Sequence, residues 1–318
     1  MSAQPQIKLG TRGSPLALAQ AHEVAARLRQ AHPELAPAEA ISIKVIKTTG
    51  DKVLDRPLSE IGGKGLFTKE IEEALIDGSI DAAVHSMKDV PTWLPDGLEI
   101  PVILPREDPR DAWIGRDGLT LAALPSGAVV GSASLRRQAL VKARRPDLEV
   151  VTLRGNVGTR LRKLEAGEVD GTLLAMAGLK RLDMVAAVTE ALAPEVMLPA
   201  VAQGAIGLET RCGDEATRAL VDAINDPMSA ARVRAERACL AVLDGSCRTP
   251  ISAFAELENG RTIRLRALVA LPDGSALIED ERQGPLEEAE MIGTATGQAL
   301  RQQAEASQWS QAFSAFFG

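Results

Sequence analysis

The sequence predicts a mixed α/β protein with two α/β lobes and a small α+β domain of αβββα order at the C-terminal end. From Ile7 to Arg116, short β-branched runs alternate with helical stretches, which is the pattern of a layered α/β fold. A second block in the same style runs from about Ala112 to Leu198, and from Pro227 the pattern changes to one helix, three alternating strands and a closing helix. At 318 residues the chain is also too long for one typical core.

Ile7 to Thr11 reads as a strand. Ser14 can cap, and Pro15 can open, a helix that runs to about His32 and stops before Pro33. Ile41 to Thr49 is a second strand, Phe67 to Asp77 a helix ended by Gly78, and Ile80 to Val84 a buried strand leading into His85-Ser-Met-Lys-Asp-Val-Pro91. Val201 to Thr210 reads as a strand that returns to the first block. A helix capped at Asp226 and opened by Pro227 runs to Asp244; strands follow at Ile251 to Leu257, Thr262 to Leu271 and Ala276 to Glu281, then a helix over Leu286 to Ala304. The expected division is 1–104 with 201–222 for the first lobe, 105–200 for the second and 223–318 for the third domain, with a cleft between the lobes.

Hydrophobic content of 45% and charged content of 25% describe an ordinary globular chain. No stretch approaches membrane-spanning length and Met1 to Lys8 has no basic, apolar leader pattern, so a cytoplasmic protein without membrane contact is expected. The three cysteines, Cys212, Cys239 and Cys247, lack C-x-x-C spacing, which indicates neither a disulfide framework nor a metal site. Aromatic content of 3%, no tyrosine and a net charge of −7 argue against nucleic acid as a partner. No exposed apolar stripe demands a second subunit.

Charge is distributed unevenly. Nine cations and two carboxylates lie between Gly131 and Lys163, within a chain that is acidic overall. The densest clusters, Gly131-Ser-Ala-Ser-Leu-Arg-Arg-Gln138 and Leu153-Arg-Gly-Asn-Val-Gly-Thr-Arg160, sit where a strand-like run breaks into a helix start. Such turns aim backbone N–H groups and a positive dipole end at one spot, and arginine adds a planar fork for carboxylate or phosphate. Arg136, Arg137, Arg154 and Arg160 are therefore read as an anion site, the alternative being a solvated helix face. Lys142, Arg144 and Arg145 read as ordinary surface, as do His22 and His32.

Asp89 follows a buried strand at the carboxyl end of an open sheet, where ligands bind, although an aspartate there can also simply cap a turn. Gly62-Gly-Lys-Gly-Leu-Phe67 lacks the spacing of a phosphate loop, but glycines on both sides of Lys64 suit a cation on backbone that closes over a ligand. Cys239 lies in an apolar helix and reads as core. Cys247 lies in a loop past a helix end, where the helix dipole raises a thiol pKa and Arg248 lowers it; an attachment point suits it as well as a nucleophile.

Taken together, Thr11-Arg-Gly-Ser-Pro-Leu-Ala17, Gly62 to Phe67, Val84-His-Ser-Met-Lys-Asp-Val-Pro91, Arg106-Glu-Asp-Pro-Arg-Asp111, Ser134 to Gln138, Leu153 to Arg160, Ala177-Gly-Leu-Lys-Arg-Leu182 and Leu198-Pro-Ala-Val-Ala-Gln-Gly-Ala205 resemble the porphobilinogen deaminase (hydroxymethylbilane synthase) family over nearly the whole chain. The resemblance implies two periplasmic-binding-protein-like lobes and a third domain. It also implies a dipyrromethane cofactor joined by a thioether to Cys247, where Ser246 replaces the glycine often found in the family's loop. The implied reaction condenses four porphobilinogen molecules head to tail with loss of ammonia, then hydrolyses the product from the cofactor as hydroxymethylbilane. Asp89 matches the family's catalytic aspartate. Arg12, Ser14, Lys64, Lys88, Arg136, Arg137, Arg154, Arg160 and Arg181 match positions that hold the acetate and propionate groups, with Ser132, Ser134 and Gln203 nearby. A different class, a non-enzymatic two-lobed protein that binds polycarboxylates, also accounts for the arginines but gives the Cys247 domain no purpose.

Overall fold

The structure, a computed structural model, describes residues 7–52, 65–243 and 249–314. The chain divides into two compact units, residues 1–107 with 205–230 and residues 108–204 with 231–318.

In the first unit, β1 (Ile7–Arg12) leads into α1 (Pro15–Ala31), followed by β2 (Ile41–Ile46), the single turn α2 (Thr49–Lys52), α3 (Lys69–Ile76), β3 (Ala82–Ser86) and β4 (Leu98–Ile103). Ser14 caps α1 as expected: its backbone is extended, its side chain accepts from the Ala17 N–H, and proline stands at the first helical position. The helix ends before Pro33, with His32 donating its backbone N–H to Leu28 O. The later β10 (Ile206–Arg211) returns to this sheet, whose order is β2-β1-β3-β10-β4, with β1 parallel to β2 and β3 and with β10 antiparallel to β3 and β4. One face packs Ile7, Leu9, Val84 and Leu208 against Val24 and Leu28; the other packs Ala83 and Ile80 against Ile71 and Leu75 of α3. Burial on both faces explains the apolar run Ala82-Ala83-Val84 in β3.

The second unit repeats the plan. It comprises β5 (Asp111–Gly115), β6 (Val129–Gly131), α4 (Leu135–Arg144), β7 (Glu149–Val151), α5 (Val157–Glu165), β8 (Gly171–Ala175), α6 (Met176–Arg181) and β9 (Glu190–Ala191). The sheet order is β7-β6-β8-β5-β9, with β6 parallel to β7 and β8, and β5 antiparallel to β8 and β9. Fully buried Trp113 fills the space beside Gly171, where an added Cβ would lie 2.1 Å from the indole ring.

Beyond α7 (Glu215–Val221) and α8 (Pro227–Val242), a third, antiparallel sheet of β11 (Ile251–Glu258), β12 (Thr262–Ala270) and β13 (Leu277–Pro285) is covered by α9 (Ala289–Ala306); α10 (Ser310–Ser314) follows. Phe254, Leu268 and Ala270 of this sheet share one core with Trp113, Leu140 and Leu173, so the second and third sheets form one unit. Gly293 and Gly297 of α9 lie against the Ala235 and Cys239 carbonyls of α8, a close approach that only glycine allows. Cys239 is buried in that contact, and burial pushes its thiol up to about 12, as a core reading requires.

Four expectations change. The segment Val201 to Thr210 is not one strand: β10 begins only at Ile206, and residues before it form a turn in which Ala202 takes φ 55°. Buried Glu236 explains this, accepting from Ala202 N at 2.6 Å and Ala255 N at 2.8 Å and tying the turn to α8 and β11. Arg145 is not free surface, since it donates to the carbonyls of Leu121, Ala122 and Leu124 and pairs with Asp147 at 2.7 Å. Arg144 likewise donates to Glu195 O. His32 is half-buried, with Nε2 2.8 Å from Leu220 O, whereas His22 is exposed.

The second unit is organised around Asp111, the first residue of β5. It is fully buried and faces Arg136 and Arg137 in the first turn of α4, themselves only 4% and 6% exposed. Arg137 donates Nε at 3.0 Å and Nη2 at 2.6 Å to Oδ1, Arg136 pairs with Oδ2 at 2.8 Å, and Gln203 Nε2 donates to Oδ1 at 3.0 Å. The same side chains donate to Leu173 O, Leu198 O and Pro109 O, so β5, β8, α4 and the turn before β10 share one clamp. Burial alone would push the Asp111 carboxyl up, but Arg136 and Arg137 overcome it and hold it at about 2. Burial weighs the other way on Arg136, lowering its pKa more than Asp111 restores it, because Arg137 lies alongside. Asp111→Asn strands two buried cations, and the expected loss is about 3–5 kcal/mol of stability in chemical denaturation. Because the folded carboxyl is depressed, the parent keeps this stabilisation above the ordinary carboxylate range and loses it as pH falls toward 2. A parent and variant with matching denaturation curves would contradict the assignment.

Candidate active site

In the first unit the carboxyl ends of β1 and β3 open onto a pocket lined by Arg12, Ser14, Gln20, Phe67, Thr68, His85, Ser86 and Asp89. Asp89 lies in the 3-10 turn Met87–Asp89 that follows β3, and the Val90 N–H closes that turn onto Met87 O. The turn is held to the sheet by Met87 N donating to Ala205 O at 3.0 Å. Asp89 is half-buried, and its carboxylate has no hydrogen-bond or ion-pair partner among the described residues. It is not the turn-capping aspartate of the alternative reading. Arg12 stacks over the Phe67 ring at 4.0 Å, which fixes its guanidinium at the pocket wall. Gln20 and Ser86 are hydrogen-bonded at 2.7 Å across the wall. Lys88 is half-buried in the same turn. Lys64 lies outside the described residues.

In the second unit the arginine-rich turns form two helix starts. Ser134 caps α4, accepting from Arg137 N at 3.4 Å, and Ser132, fully buried, accepts from Ser134 N at 3.2 Å. Asn156 caps α5, accepting from Thr159 N at 2.9 Å. Arg154 and Arg160 flank that cap, both half-buried, and Arg160 donates Nε to Gly155 O at 2.9 Å. Burial first, then the charges of Arg137 and Arg154, push the Arg160 guanidinium down to about 10, and no carboxylate of the described chain pairs with it. Arg181, at the end of α6, donates to Gly204 O at 3.3 Å.

Arg136, Arg137 and Gln203 were expected to face a ligand, yet their strongest contacts are internal, to Asp111. Two guanidinium groups against one carboxylate still leave a positive charge over, and Arg136 Nε is buried with no acceptor among the described residues. A partner of this kind for adjacent arginines is invisible to charge counting, because Asp111 stands 25 residues before Arg136 in the sequence. The donor set therefore fits a carboxylate-bearing group such as dipyrromethane: more guanidinium than carboxylate around Asp111, a buried Arg136 N–H without an acceptor among the described residues and two capped helix starts. Cys247, the expected attachment point, lies outside the described residues.

Reading the sequence also passed over His85 and Glu209, whose side chains meet at 2.8 Å and are 4% and 0% exposed. A glutamate in the apolar run of Ile206–Arg211 was the available signal.

Comparison with known proteins agrees with this arrangement. The family profile described as "Porphobilinogen deaminase, dipyromethane cofactor binding domain" matches residues 7–219, and that described as "Porphobilinogen deaminase, C-terminal domain" matches residues 230–302. A porphobilinogen deaminase of Paracoccus denitrificans is 57% identical over 95% of this chain and 96% of its own length. A chloroplastic porphobilinogen deaminase of Oryza sativa subsp. japonica is 56% identical over 88% of this chain and 78% of its own. One from Nitrobacter winogradskyi is 55% identical over 93% of both. Among solved structures, a TRAP periplasmic solute binding protein from Desulfovibrio salexigens aligns with a TM-score of 0.40 at 10% identity, over 69% of this chain and 72% of that one. On the extent of these matches, the chain belongs to the porphobilinogen deaminase family.

Proposed function

We propose that the chain condenses four porphobilinogen molecules head to tail, releasing one ammonia for each, and frees the product as hydroxymethylbilane by hydrolysis. The observation that carries this is the family match across residues 7–219 and 230–302. When bound, a dipyrromethane on Cys247 supplies the ring carbon to which the first substrate is joined. The two-lobed binding-protein alternative is not favoured, since it leaves the C-terminal domain without a role.

Asp89 is proposed as the catalytic carboxylate. Departure of the amine leaves positive charge on the substrate's pyrrole nitrogen, and a carboxylate without an internal partner is available to stabilise that charge at the pocket wall. Arg12, Ser14, Lys64 and Lys88 are proposed to hold acetate and propionate groups on the Asp89 side. Arg154, Arg160, Arg181 and Ser134 are proposed to do so on the arginine-rich unit, each charge-assisted contact contributing roughly 1.5–3 kcal/mol. Arg136 and Arg137 contribute the charge left over from Asp111, with Ser132 and Gln203 fixing their positions. The functional division into 1–104 with 201–222, 105–200 and 223–318 is proposed on the order of the three sheets, the second and third of which share one core. Among the described residues no helix is long and apolar enough to cross a membrane. A cytoplasmic monomer that binds neither membrane nor nucleic acid completes the proposal.

Asp89→Ala is expected to retain its cofactor and lose nearly all turnover; ammonia release above about a tenth of the parent rate would remove Asp89 from the role. Intact mass of the denatured parent is expected to exceed the sequence mass by two pyrrole units, with no excess in Cys247→Ser made in parallel. Arg160 carries its charge at a cost in the folded chain, because its folded pKa lies below the ordinary value; the cost is present at neutral pH and is relieved only as pH rises past about 10. Arg160→Leu is therefore expected to melt no lower than the parent in its ligand-free form, while KM for porphobilinogen rises about tenfold or more. Unchanged KM and cofactor content would show that Arg160 does not contact the ligand.

A further inference from the structure

Beneath the Asp89 pocket lies a buried acid cluster that the mechanism above does not use. His85 is the penultimate residue of β3 and lines the pocket together with Asp89. Its Nε2 is 2.8 Å from Glu209 Oε2 on β10. Register places Gly207 opposite His85 and Glu209 opposite Ala83, so His85 and Glu209 form a diagonal pair on one face of the sheet. Glu209 is 0% exposed, and its Oε1 has no partner among the described residues. Glu72 of α3 is also buried; burial and then the nearby charge of Glu209 raise its pKa, which couples it to the pair. The second nitrogen of His85, Nδ1, makes no hydrogen bond among the described residues. As sheet structure alone this arrangement is costly, since an apolar pair of the same volume serves two adjacent strands at least as well as a buried charged pair.

Resting on the reading under Proposed function, we propose that His85 is a further catalytic residue: an imidazole at the floor of the Asp89 pocket that holds and returns a proton, with Glu209 as the positioning residue that fixes its tautomer and Glu72 buried beside them. The balance of the reaction calls for such a group. In each condensation the substrate's C–N bond breaks, its electron pair leaves with ammonia, and a C–C bond forms while one ring proton is lost. Ammonia then takes up one proton as ammonium. A group that accepts one proton and donates one is unchanged after every round. An imidazole whose Nε2–H is committed to a carboxylate keeps Nδ1 for that exchange. The charged groups around His85 are Glu209 on β10, Glu72 on α3, Asp89 beyond β3 and Arg12 at the end of β1.

The test uses the full-length, cofactor-loaded protein and its variants His85→Gln and Glu209→Gln. The chain has three histidines, so the ring nitrogens of His85 can be followed by 15N NMR against His22 and His32. Removing the Glu209 charge is expected to move the His85 titration, and one limb of the kcat–pH profile with it, to lower pH, because the imidazolium loses its counter-charge. His85→Gln is expected to lower kcat about tenfold or more, to leave KM within about twofold, and to abolish that limb. Variants that keep the parent's pH profile and titration overturn the inference, even if their rates fall, because a purely structural role moves neither. If His85→Gln does not fold, the titration shift in Glu209→Gln decides alone. The parent is assayed alongside: failure to release ammonia from porphobilinogen overturns the functional reading itself, whereas an active parent with unshifted variants overturns only the role of His85.

Discussion

The fold of the second unit depends on one buried carboxylate shared by two buried guanidinium groups. Asp111 opens β5, Arg136 and Arg137 lie in the first turn of α4, and Gln203 belongs to the turn that precedes β10, so one set of ion pairs and hydrogen bonds fixes three segments distant in sequence. Three charges out of water is a costly arrangement, and it persists because nearly every donor is matched: carbonyls of Leu173, Leu198 and Pro109 accept what Asp111 cannot. The mismatch that remains is one positive charge and one Arg136 N–H. A structural clamp thereby also leaves net positive charge at the start of α4.

Arg160 illustrates the opposite strategy. It has no carboxylate within the described chain, and its pKa is depressed by burial and by like charges. A cation held among like charges, with no carboxylate of the described chain against it, is unfavourable without ligand and favourable once an anion arrives, which suits a ligand that gains two carboxylates with every added ring. The first unit assigns its charges differently. Asp89 has no partner among the described residues, while two other carboxylates and an imidazole are buried directly below.

Much of the fold was legible from local physics. The Ser14–Pro15 helix start, the stop before Pro33, the repeated α/β style of the two lobes and the αβββα order after Pro227 follow from capping, proline sterics and periodicity, none of which needs a distant partner. The position of Asp89 was legible for the same reason, because strand polarity puts it at the carboxyl end of β3. Failures occurred where distant contacts decide. The strand expected from Val201 was shortened by Glu236, a residue on another helix, and Arg145 was drawn inward by carbonyls of a loop more than twenty positions earlier.

By itself the sequence determined the elements, the excess of arginine at two helix starts and the family, because these depend on residue type and short-range spacing. Only the tertiary structure decided how those charges are divided: Arg136 and Arg137 onto Asp111, Arg160 left uncompensated, and His85 paired with Glu209 across two strands. The physical reason is that the worth of a charge depends on its burial and on the charges that reach it, and both are properties of the folded arrangement rather than of the order of residues.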